Sequence, residues 1–203
     1  MIRNIVFDMG NVLVRFDPEH FMDKAGITDA EDRRLIRQEL FHSVEWAQMD
    51  LGILTEKTAE PLILPRCPES LREKVSFLLS HWADDREMIP GMEALAQELK
   101  EQGYRLYLLS NASKDQPRYW NTFPVSRLFE GTLISCDAGI VKPDPRIYRL
   151  FTERFSLQPA ECLFIDDQPP NVAAAIRAGW SGIVFQGSAE DLRERIAHLL
   201  KNG

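Results

Sequence analysis

The sequence predicts an α/β fold, namely a doubly wound parallel sheet with a small helical domain inserted into it. Short, continuously apolar segments bounded by turn residues recur along the chain, as expected of strands buried on both faces of a parallel sheet. From Pro90 onward they alternate with segments of helical periodicity, which is typical of this fold class. Before Pro90 lies a long charged and helix-forming stretch in which no strand is predicted.

Five segments are predicted to be strands because each combines aliphatic or aromatic residues with turn residues at its ends. They are IVFDM from Ile5, YRLYLLS at 104–110, GTLIS at 131–135, CLFIDD at 162–167 and SGIVFQG at 181–187. Three segments after them have apolar residues at helical spacing: PGMEALAQELKEQG at 90–103, PRIYRLFTERFSL at 145–157 and NVAAAIRAG at 171–179. Gly103 and Gly179 are helix stop signals, and Asn171 is a plausible N-cap.

Residues 15–87 are predicted to form a helical cap domain, inserted into an α/β core of residues 1–14 and 88–203. The stretches DAEDRRLIRQELFHSVEWAQMD and ESLREKVSFLLSHWADD carry the helical signal. Pro61, Pro65 and Pro68 are expected to break the insert into at least two helical pieces. The alternative is that these helices are long connections within a single domain.

Composition restricts the classes of partner. A net charge of −7 argues against nucleic acid and anionic membranes. No apolar run approaches the roughly 20 residues of a membrane helix, and MIRNIVFDMG lacks the features of a signal peptide. The cysteines, Cys67, Cys136 and Cys162, fit neither a zinc site nor a disulfide framework. We therefore expect a cytoplasmic protein that binds neither nucleic acid nor membranes; no oligomeric state is predicted.

Polar side chains cluster just after the predicted strands. They are Asp8 after the first strand, Ser110 and Asn111 after the second, Lys142 in the loop after the third, and Asp166 and Asp167 after the fourth. Ligands of open α/β sheets bind at these carboxyl ends. A carboxylate at the end of a buried strand is costly unless something binds it. The carboxylates suit a magnesium ion, and Ser110, Lys142 and backbone N–H groups suit the oxygens of a phosphate.

These residues, in this order, resemble the motifs of the haloacid dehalogenase superfamily of hydrolases. The segment KPDPRIY, which contains Lys142 and Tyr148, is the most specific single match. FDMGNVLV and LFIDDQPPN are most similar to the sugar-phosphate phosphatase branch, which includes glucose-1-phosphate phosphatases. The resemblance implies a helical cap after the first strand and a magnesium-dependent phosphatase acting on a small phosphorylated metabolite.

The resemblance also implies a role for each residue. Asp8 would be the nucleophile, forming an aspartyl-phosphate that water then hydrolyses. Asp8, Asp167 and the backbone carbonyl of Gly10 would hold Mg²⁺, with Asp166 as a further ligand or as a partner of one. Ser110 and the Asn111 amide would bind a phosphoryl oxygen, and Lys142 would neutralise the phosphate and the nucleophile. Asn171 would either orient Lys142 or only cap its helix.

The chain departs from the family pattern at Gly10. Most phosphatases of this superfamily carry a second Asp there, which protonates the leaving oxygen and later activates water. The first hypothesis is a phosphatase whose donor is a water or a cap residue, or whose substrates have good leaving groups, such as anomeric sugar phosphates or acyl phosphates. The second is a 2-haloacid dehalogenase, in whose first motif Tyr-Gly stands where this chain has Gly10-Asn11. The third is a catalytically silent binding module.

Three residues in the insert are candidates for substrate recognition. Glu45 and Trp46, in the segment EWAQMDLG, lie at near-helical spacing from Asp50, and either could line the pocket from the cap. The alternative is that Trp46 packs in the core of the cap and the charges are exposed. Arg15, just past the first strand, could reach a substrate hydroxyl or phosphate.

Overall fold

A single parallel sheet forms the centre of the molecule, as predicted. The computed structural model describes residues 1–84 and 86–202. Its strands are β1 (Asn4–Phe7), β2 (Arg105–Ser110), β3 (Phe129–Ile134), β4 (Cys162–Asp166) and β5 (Ser181–Val184). Their order is β3-β2-β1-β4-β5, and every neighbouring pair is parallel. The two strands beside β1 are thus reached by crossovers in opposite directions, which opens a crevice at its carboxyl end.

Helices cover both faces of the sheet. In chain order they are α1 (Pro18–Lys24), α2 (Ala30–Ile36), α3 (Val44–Asp50), α4 (Glu56–Ile63), α5 (Glu69–His81), α6 (Met92–Glu101), α7 (Gln116–Trp120), α8 (Ser135–Ala138), α9 (Pro145–Phe155), α10 (Pro169–Arg177) and α11 (Ala189–Asn202). A π-helical turn, Arg37–Phe41, continues α2, and 3₁₀ turns lie at Leu64–Arg66, Pro124–Leu128 and Pro159–Glu161.

The side chains of β1 show how the strands are buried. Ile5 and Phe7 belong to a core shared with α6, α11 and the helices of the insert, whereas Val6 belongs to a second core under α9 and α10. All three are fully buried. Because successive side chains of a strand point to opposite faces, a strand with helices on both sides is apolar at every position.

Between Pro18 and His81 the described residues form helices and no strand, as predicted. The expected break at Pro61 is wrong, because Pro61 lies inside α4. A proline removes one backbone hydrogen bond, and α4 ends only two residues later, so little is lost. Pro65 lies in the 3₁₀ turn after α4 and Pro68 is the N-cap of α5, so these two do separate helices. The division into core and cap domains stays a prediction.

An aromatic cluster joins the insert to the sheet-forming part of the chain. Trp82 follows α5, and its ring centroid lies 5.2 Å from that of Trp46 and 5.6 Å from that of Phe16. It also lies 5.6 Å from the ring of Tyr119 in α7, in an edge-to-face arrangement that aromatic pairs favour. This contact fixes the insert over the carboxyl ends of the strands. Among the described residues, no helix is long and apolar enough to cross a bilayer.

Candidate active site

The predicted site residues meet at the carboxyl end of β1. Asp8 directly follows β1, and the neighbouring strands β2 and β4 end at Ser110 and Asp166. Asp8, Ser110 and Asp166 are all buried. The loop after Asp8 turns tightly, since Asn11 has a φ of +54° and its side chain accepts a hydrogen bond from the backbone N–H of Phe16 at 3.0 Å.

Lys142 is at the centre of the site. Its Nζ lies 2.7 Å from Oδ1 of Asp8 and 2.7 Å from Oδ2 of Asp166, and it donates a hydrogen bond to the carbonyl of Leu109 at 3.0 Å. The ammonium is almost completely buried. Its three donors are thus all used, and the side chain has one fixed position between the nucleophile candidate and the end of β4.

Asn111 holds the loop that carries Lys142. Its side-chain amide donates to the Lys142 carbonyl at 3.0 Å and accepts from the Lys142 backbone N–H at 2.8 Å. The pair of bonds fixes the backbone of Lys142 against the turn after β2. Because the amide group is engaged in this way, a phosphate contact by Asn111 would fall to its backbone N–H.

Asp166 is held from several directions. Asn171 donates to both of its carboxylate oxygens at 3.0 Å, and the backbone N–H of Gln168 donates to Oδ1 at 2.7 Å. The expectation that Asn171 caps its helix is wrong, because α10 begins at Pro169 and its N-cap is Gln168. Proline is favoured in the first turn of a helix, where its missing N–H costs nothing. Asn171 acts on Lys142 only through Asp166.

Three carboxylates form a donor set suited to a hard cation. Asp8, Asp166 and Asp167 each offer one oxygen, and these oxygens lie within 4.8 Å of one another. Asp167 is half-buried, lines the cavity and accepts a hydrogen bond only from the side chain of Gln168 among the contacts of the described residues, at 2.8 Å. Lys142 is the cation that contacts this cluster. The carboxylates outnumber it, and oxygen ligands of this type are those that Mg²⁺ prefers.

A cavity of about 220 Å³ opens above these residues. Its floor is formed by the strand ends and their loops, and its roof by side chains from the insert and from Tyr119. The roof residues that come from the insert are Phe16, Trp46, Met49, Asp50, Glu56, Trp82 and Arg86. The cavity therefore combines a charged floor with a roof that is aromatic and carries two carboxylates and one guanidinium.

The chain matches the model of the haloacid dehalogenase-like hydrolases over residues 2–179. It belongs to this family. It is 26% identical to flavin mononucleotide hydrolase 1 of Arabidopsis thaliana, over 94% of this chain and 76% of that protein. It is 26% identical to the sesquiterpene phosphatase AstK of Aspergillus oryzae, over 88% of this chain and 87% of that protein.

A solved haloacid dehalogenase family enzyme from Bacteroides thetaiotaomicron, in complex with magnesium and inorganic phosphate, has the same fold. It superposes with a TM-score of 0.71 at 22% identity, covering 93% of this chain and 96% of that one. The predicted superfamily and its hydrolase class are confirmed. Assignment to the glucose-1-phosphate phosphatase branch stays a prediction.

Burial dominates the acid–base properties of this hydrolase's site. It raises the pKa of Asp8 from 3.8 to about 7, although Lys142 opposes the rise. Burial also raises the pKa of Asp167. For Lys142 burial favours the neutral amine, but Asp8 and Asp166 outweigh it and raise its pKa. Lys142 is therefore charged at neutral pH, while three carboxyl groups share the cluster with this one ammonium.

The candidates for substrate recognition are separated by the structure. Trp46 lines the cavity. Glu45 is buried in a bidentate ion pair with Arg66, at 2.7 and 3.0 Å, and does not line it. Arg15 is exposed and lines a separate, smaller cavity beside His20. A helix turns by 100° per residue, so the neighbours Glu45 and Trp46 point in different directions, which spacing alone did not resolve.

Sequence reasoning missed three polar residues of the roof, Asp50, Glu56 and Arg86. Asp50 was noticed for its spacing from Trp46 but received no role. Glu56 and Arg86 lie in charged stretches that resemble solvated helix faces. Their neighbours in the sequence could have indicated them: Asp50 and Glu56 lie close to Gly52, and Arg86 lies close to Trp82.

Proposed function

We propose that the protein is a magnesium-dependent phosphatase that hydrolyses a small phosphorylated metabolite through an aspartyl-phosphate on Asp8. One arrangement carries the proposal: Lys142 lies 2.7 Å from the Asp8 carboxylate in a buried cluster with Asp166, beside Asp167, at the floor of a cavity. The relatives named as a flavin mononucleotide hydrolase and a phosphatase support the same chemistry.

In the first half-reaction, a carboxylate oxygen of Asp8 attacks phosphorus and the bond between phosphorus and the leaving oxygen breaks. The leaving oxygen takes up a proton and departs as an alcohol. In the second half-reaction, water attacks phosphorus and gives up a proton, which replaces the one taken by the leaving group, and the bond to Asp8 breaks. Inorganic phosphate leaves and the free carboxylate of Asp8 is regenerated. Attack by a carboxylate on a phosphate dianion requires cations, because both groups are negatively charged.

Lys142 supplies one of these cations, since its charged Nζ contacts Asp8 and the residue lines the cavity. Ser110 and the backbone N–H of Asn111 bind phosphoryl oxygens at the end of β2. Asp166 holds Lys142 in place and is itself held by Asn171. The contacts that run from Asn171 through Asp166 to Lys142 thus orient the Asp8 carboxylate before substrate binds.

Asp8, Asp167 and the carbonyl of Gly10 would hold the magnesium ion. Both oxygens of Asp166 are engaged by Lys142, Asn171 and Gln168, so Asp166 fits the role of a partner better than that of a ligand. When bound, Mg²⁺ reduces the repulsion between Asp8 and the phosphoryl oxygens and stabilises the charge of the transferring group. The excess of carboxylates over cations in the cluster supports this assignment.

The substrate class is proposed from the roof. The rings of Trp46 and Trp82 offer apolar faces, and the carboxylates of Asp50 and Glu56 offer hydrogen-bond acceptors for hydroxyl groups. This mixture fits a phosphorylated metabolite that carries both hydroxyl and apolar groups, as a sugar phosphate does.

The test is phosphate release from sugar phosphates, acyl phosphates and p-nitrophenyl phosphate, with magnesium and with EDTA. We expect release that requires magnesium and is lost in Asp8→Asn. Halide release from 2-chloropropionate without any phosphate release would replace the proposal by the dehalogenase hypothesis. Neither product, combined with phosphate binding that Asp8→Asn leaves unchanged, would leave a binding module.

A further inference from the structure

The site has no side-chain acid where most phosphatases of its family have one, because that position is Gly10. A Cβ added to Gly10 would meet no atom within 4 Å, so the position is open space rather than filled by another group. A phosphate ester with a poor leaving group nevertheless needs a proton at the leaving oxygen. General acid–base catalysis typically contributes about 10²–10⁴-fold to such a step.

Asp50 is placed to supply this proton from the roof. It is the last residue of α3, is half-buried and lines the same cavity as Asp8. Among the described residues, no hydrogen bond or ion pair engages its carboxylate. The other cavity carboxylate of the roof, Glu56, accepts a hydrogen bond from the Ser113 hydroxyl at 2.5 Å and is therefore less free to exchange a proton.

The backbone of Asp50 is fixed to the phosphate-binding turn. Its carbonyl accepts a hydrogen bond from the Ser135 hydroxyl at 2.6 Å, and the Ser135 oxygen accepts one from the Ala112 N–H at 3.0 Å. Two residues later, Gly52 has a φ of +73°, and a Cβ on it would lie 2.3 Å from the carbonyl oxygen of Cys136. The end of α3 thus packs closely against the segment that contains Ser135 and Cys136. These contacts hold the backbone of Asp50 at a fixed distance from the turn after β2.

We propose that Asp50 is the general acid and base of this site, taking the role that an aspartate at position 10 has in related enzymes. In the first half-reaction its carboxylic acid gives a proton to the leaving oxygen as the phosphorus–oxygen bond breaks. In the second, the carboxylate takes a proton from the attacking water and is protonated again. No other reactant is required, and the inference rests on the proposed phosphatase function.

The electrostatic surroundings of Asp50 agree with a group that is protonated in part of the population at neutral pH. Burial is the main cause that raises the pKa of Asp50 from 3.8 to about 7. Asp8 and Glu56 raise it further, whereas Lys142 lowers it. A donor whose pKa lies near the working pH is available both as acid and as base.

The experiment compares Asp50→Asn, Gly10→Asp and the double variant on p-nitrophenyl phosphate and on an alkyl phosphate. The first substrate has a good leaving group and needs little protonation. We expect Asp50→Asn to lower kcat for the alkyl phosphate about 10²–10⁴-fold and to change kcat for p-nitrophenyl phosphate far less. Gly10→Asp should restore hydrolysis of the alkyl phosphate in the Asp50→Asn background. Glu73→Gln removes an exposed carboxylate of α5 and is the matched control.

An equal loss on both substrates, or no loss on either, would overturn the role of Asp50. Failure of Gly10→Asp to restore activity while the alkyl phosphate still binds would also count against it. The proposed function is tested separately by the unmodified protein, since p-nitrophenyl phosphate should be hydrolysed whether or not Asp50 is the acid.

Arg86 lines the same cavity. Its guanidinium carbon is 4.1 Å from the ring centroid of Trp82 and 4.4 Å from that of Tyr119. Its Nε is buried without a hydrogen-bond partner, and no described carboxylate lies within 4 Å of it. Burial lowers the pKa of Arg86, so its charge is held at a cost in free energy.

The geometry points to Arg86 as a subsite for a second oxyanion of the substrate, a carboxylate or a second phosphate. Aromatic rings lie against the guanidinium, and the N–H groups of a guanidinium lie in one plane, in a fork that matches the oxygens of an oxyanion. Lys142 is already the proposed cation for the transferring phosphoryl group. Arg86, among the rings of the roof, faces the remainder of the substrate.

The test uses matched alkyl phosphates that end in a hydroxyl, a carboxylate or a second phosphate. Arg86→Gln should raise KM about 10- to 100-fold for the two anionic members and leave KM for the hydroxyl member unchanged, because a hydrogen bond to a charged group is lost. The member with the larger change identifies which oxyanion is bound. Equal changes in KM for all three substrates would make Arg86 a purely structural contact. The same conclusion would follow if Arg86→Lys and Arg86→Gln shifted the unfolding midpoint equally and neither variant changed KM.

Discussion

At the residue scale, the site is governed by one buried ammonium shared between two carboxylates. Lys142 contacts Asp8 and Asp166, and both partners are less than one tenth exposed. Breaking a buried charge pair leaves an uncompensated charge, which is far more costly than losing an exposed pair. The electrostatic contacts of Lys142 are therefore expected to matter for both stability and turnover.

Lys142→Met keeps an unbranched side chain, one atom shorter than lysine, and removes its charge. We expect kcat with p-nitrophenyl phosphate to fall at least 10²-fold, since one cation at the transferring group is lost and protonated Asp8 becomes more abundant. Steady-state kinetics measures the change, with Lys57→Met on the exposed surface of α4 as the control. A kcat within a factor of three of the unmodified protein would contradict this role of Lys142.

Asp50→Asn is expected to stabilise the fold at neutral pH. The folded-state pKa of Asp50 is about 7 and its ordinary value is 3.8, so the folded state binds the proton more tightly. Ionised Asp50 therefore destabilises the protein, and the penalty grows as pH rises from about 4 to 7 and is constant above. Above pH 7, the free energy of unfolding of Asp50→Asn should exceed that of the unmodified protein by about 1–3 kcal/mol. Near pH 4 the two free energies should be nearly the same.

Urea unfolding in EDTA at several pH values tests this expectation. The charged neighbours Asp8, Glu56 and Lys142 are present in both proteins, so the difference between them isolates Asp50. A difference that is the same at pH 4 and pH 8 would mean that Asp50 is not held at a raised pKa.

At the element scale, the end of α3 is attached to the core through one hydroxyl. Ser135 begins α8, and its Oγ connects the Asp50 carbonyl with the Ala112 N–H. This attachment sets the roof of the cavity relative to its floor. Periodicity predicted the helices of the insert, but it carries no information on which helix end meets which loop, because that depends on contacts between residues distant in sequence.

Ser135→Ala should detach α3 without removing any charged group. The Ala112 N–H and the Asp50 carbonyl would both lose a partner, and a buried polar group without a partner costs about 1–3 kcal/mol. We expect the free energy of unfolding to fall by that amount, and KM to rise more than kcat falls. Chemical unfolding and steady-state kinetics measure the two effects, with Ser80→Ala on the exposed side of α5 as the control. An unchanged free energy of unfolding would show that the hydroxyl is not a structural attachment.

At the scale of the whole molecule, much of the fold was predictable because parallel strands are apolar throughout. Each of the five predicted strands is present, with ends that differ from the prediction by at most three residues. Because β1 lies between β2 and β4 in the sheet, the residues at the carboxyl ends of these three strands are neighbours. The order β3-β2-β1-β4-β5 itself was not predicted, since strand order depends on crossover directions that local sequence does not record.

The positions of Asp8, directly after β1, and of Lys142, in a loop that follows β3, were predictable because ligands of open α/β sheets bind at the carboxyl ends of the strands. The site was not predictable where a side chain reaches the cavity from the insert. Of the three candidates for substrate recognition, Trp46 lines the cavity and Glu45 and Arg15 do not, whereas Asp50 and Arg86 line it. The direction of these side chains follows from how the helices pack on the sheet, which the periodicity of a single helix does not specify.

Covalent catalysis by Asp8 can be tested by trapping the phosphorylated protein. Turnover with magnesium would be quenched rapidly, the protein reduced with borohydride, and the peptide containing Asp8 analysed by mass spectrometry. An aspartyl-phosphate at Asp8 predicts reduction of this one side chain to an alcohol, absent with EDTA and absent in Asp8→Asn. Magnesium-dependent phosphate release that continues at an undiminished rate in Asp8→Asn, with no reduced residue at position 8, would contradict the mechanism.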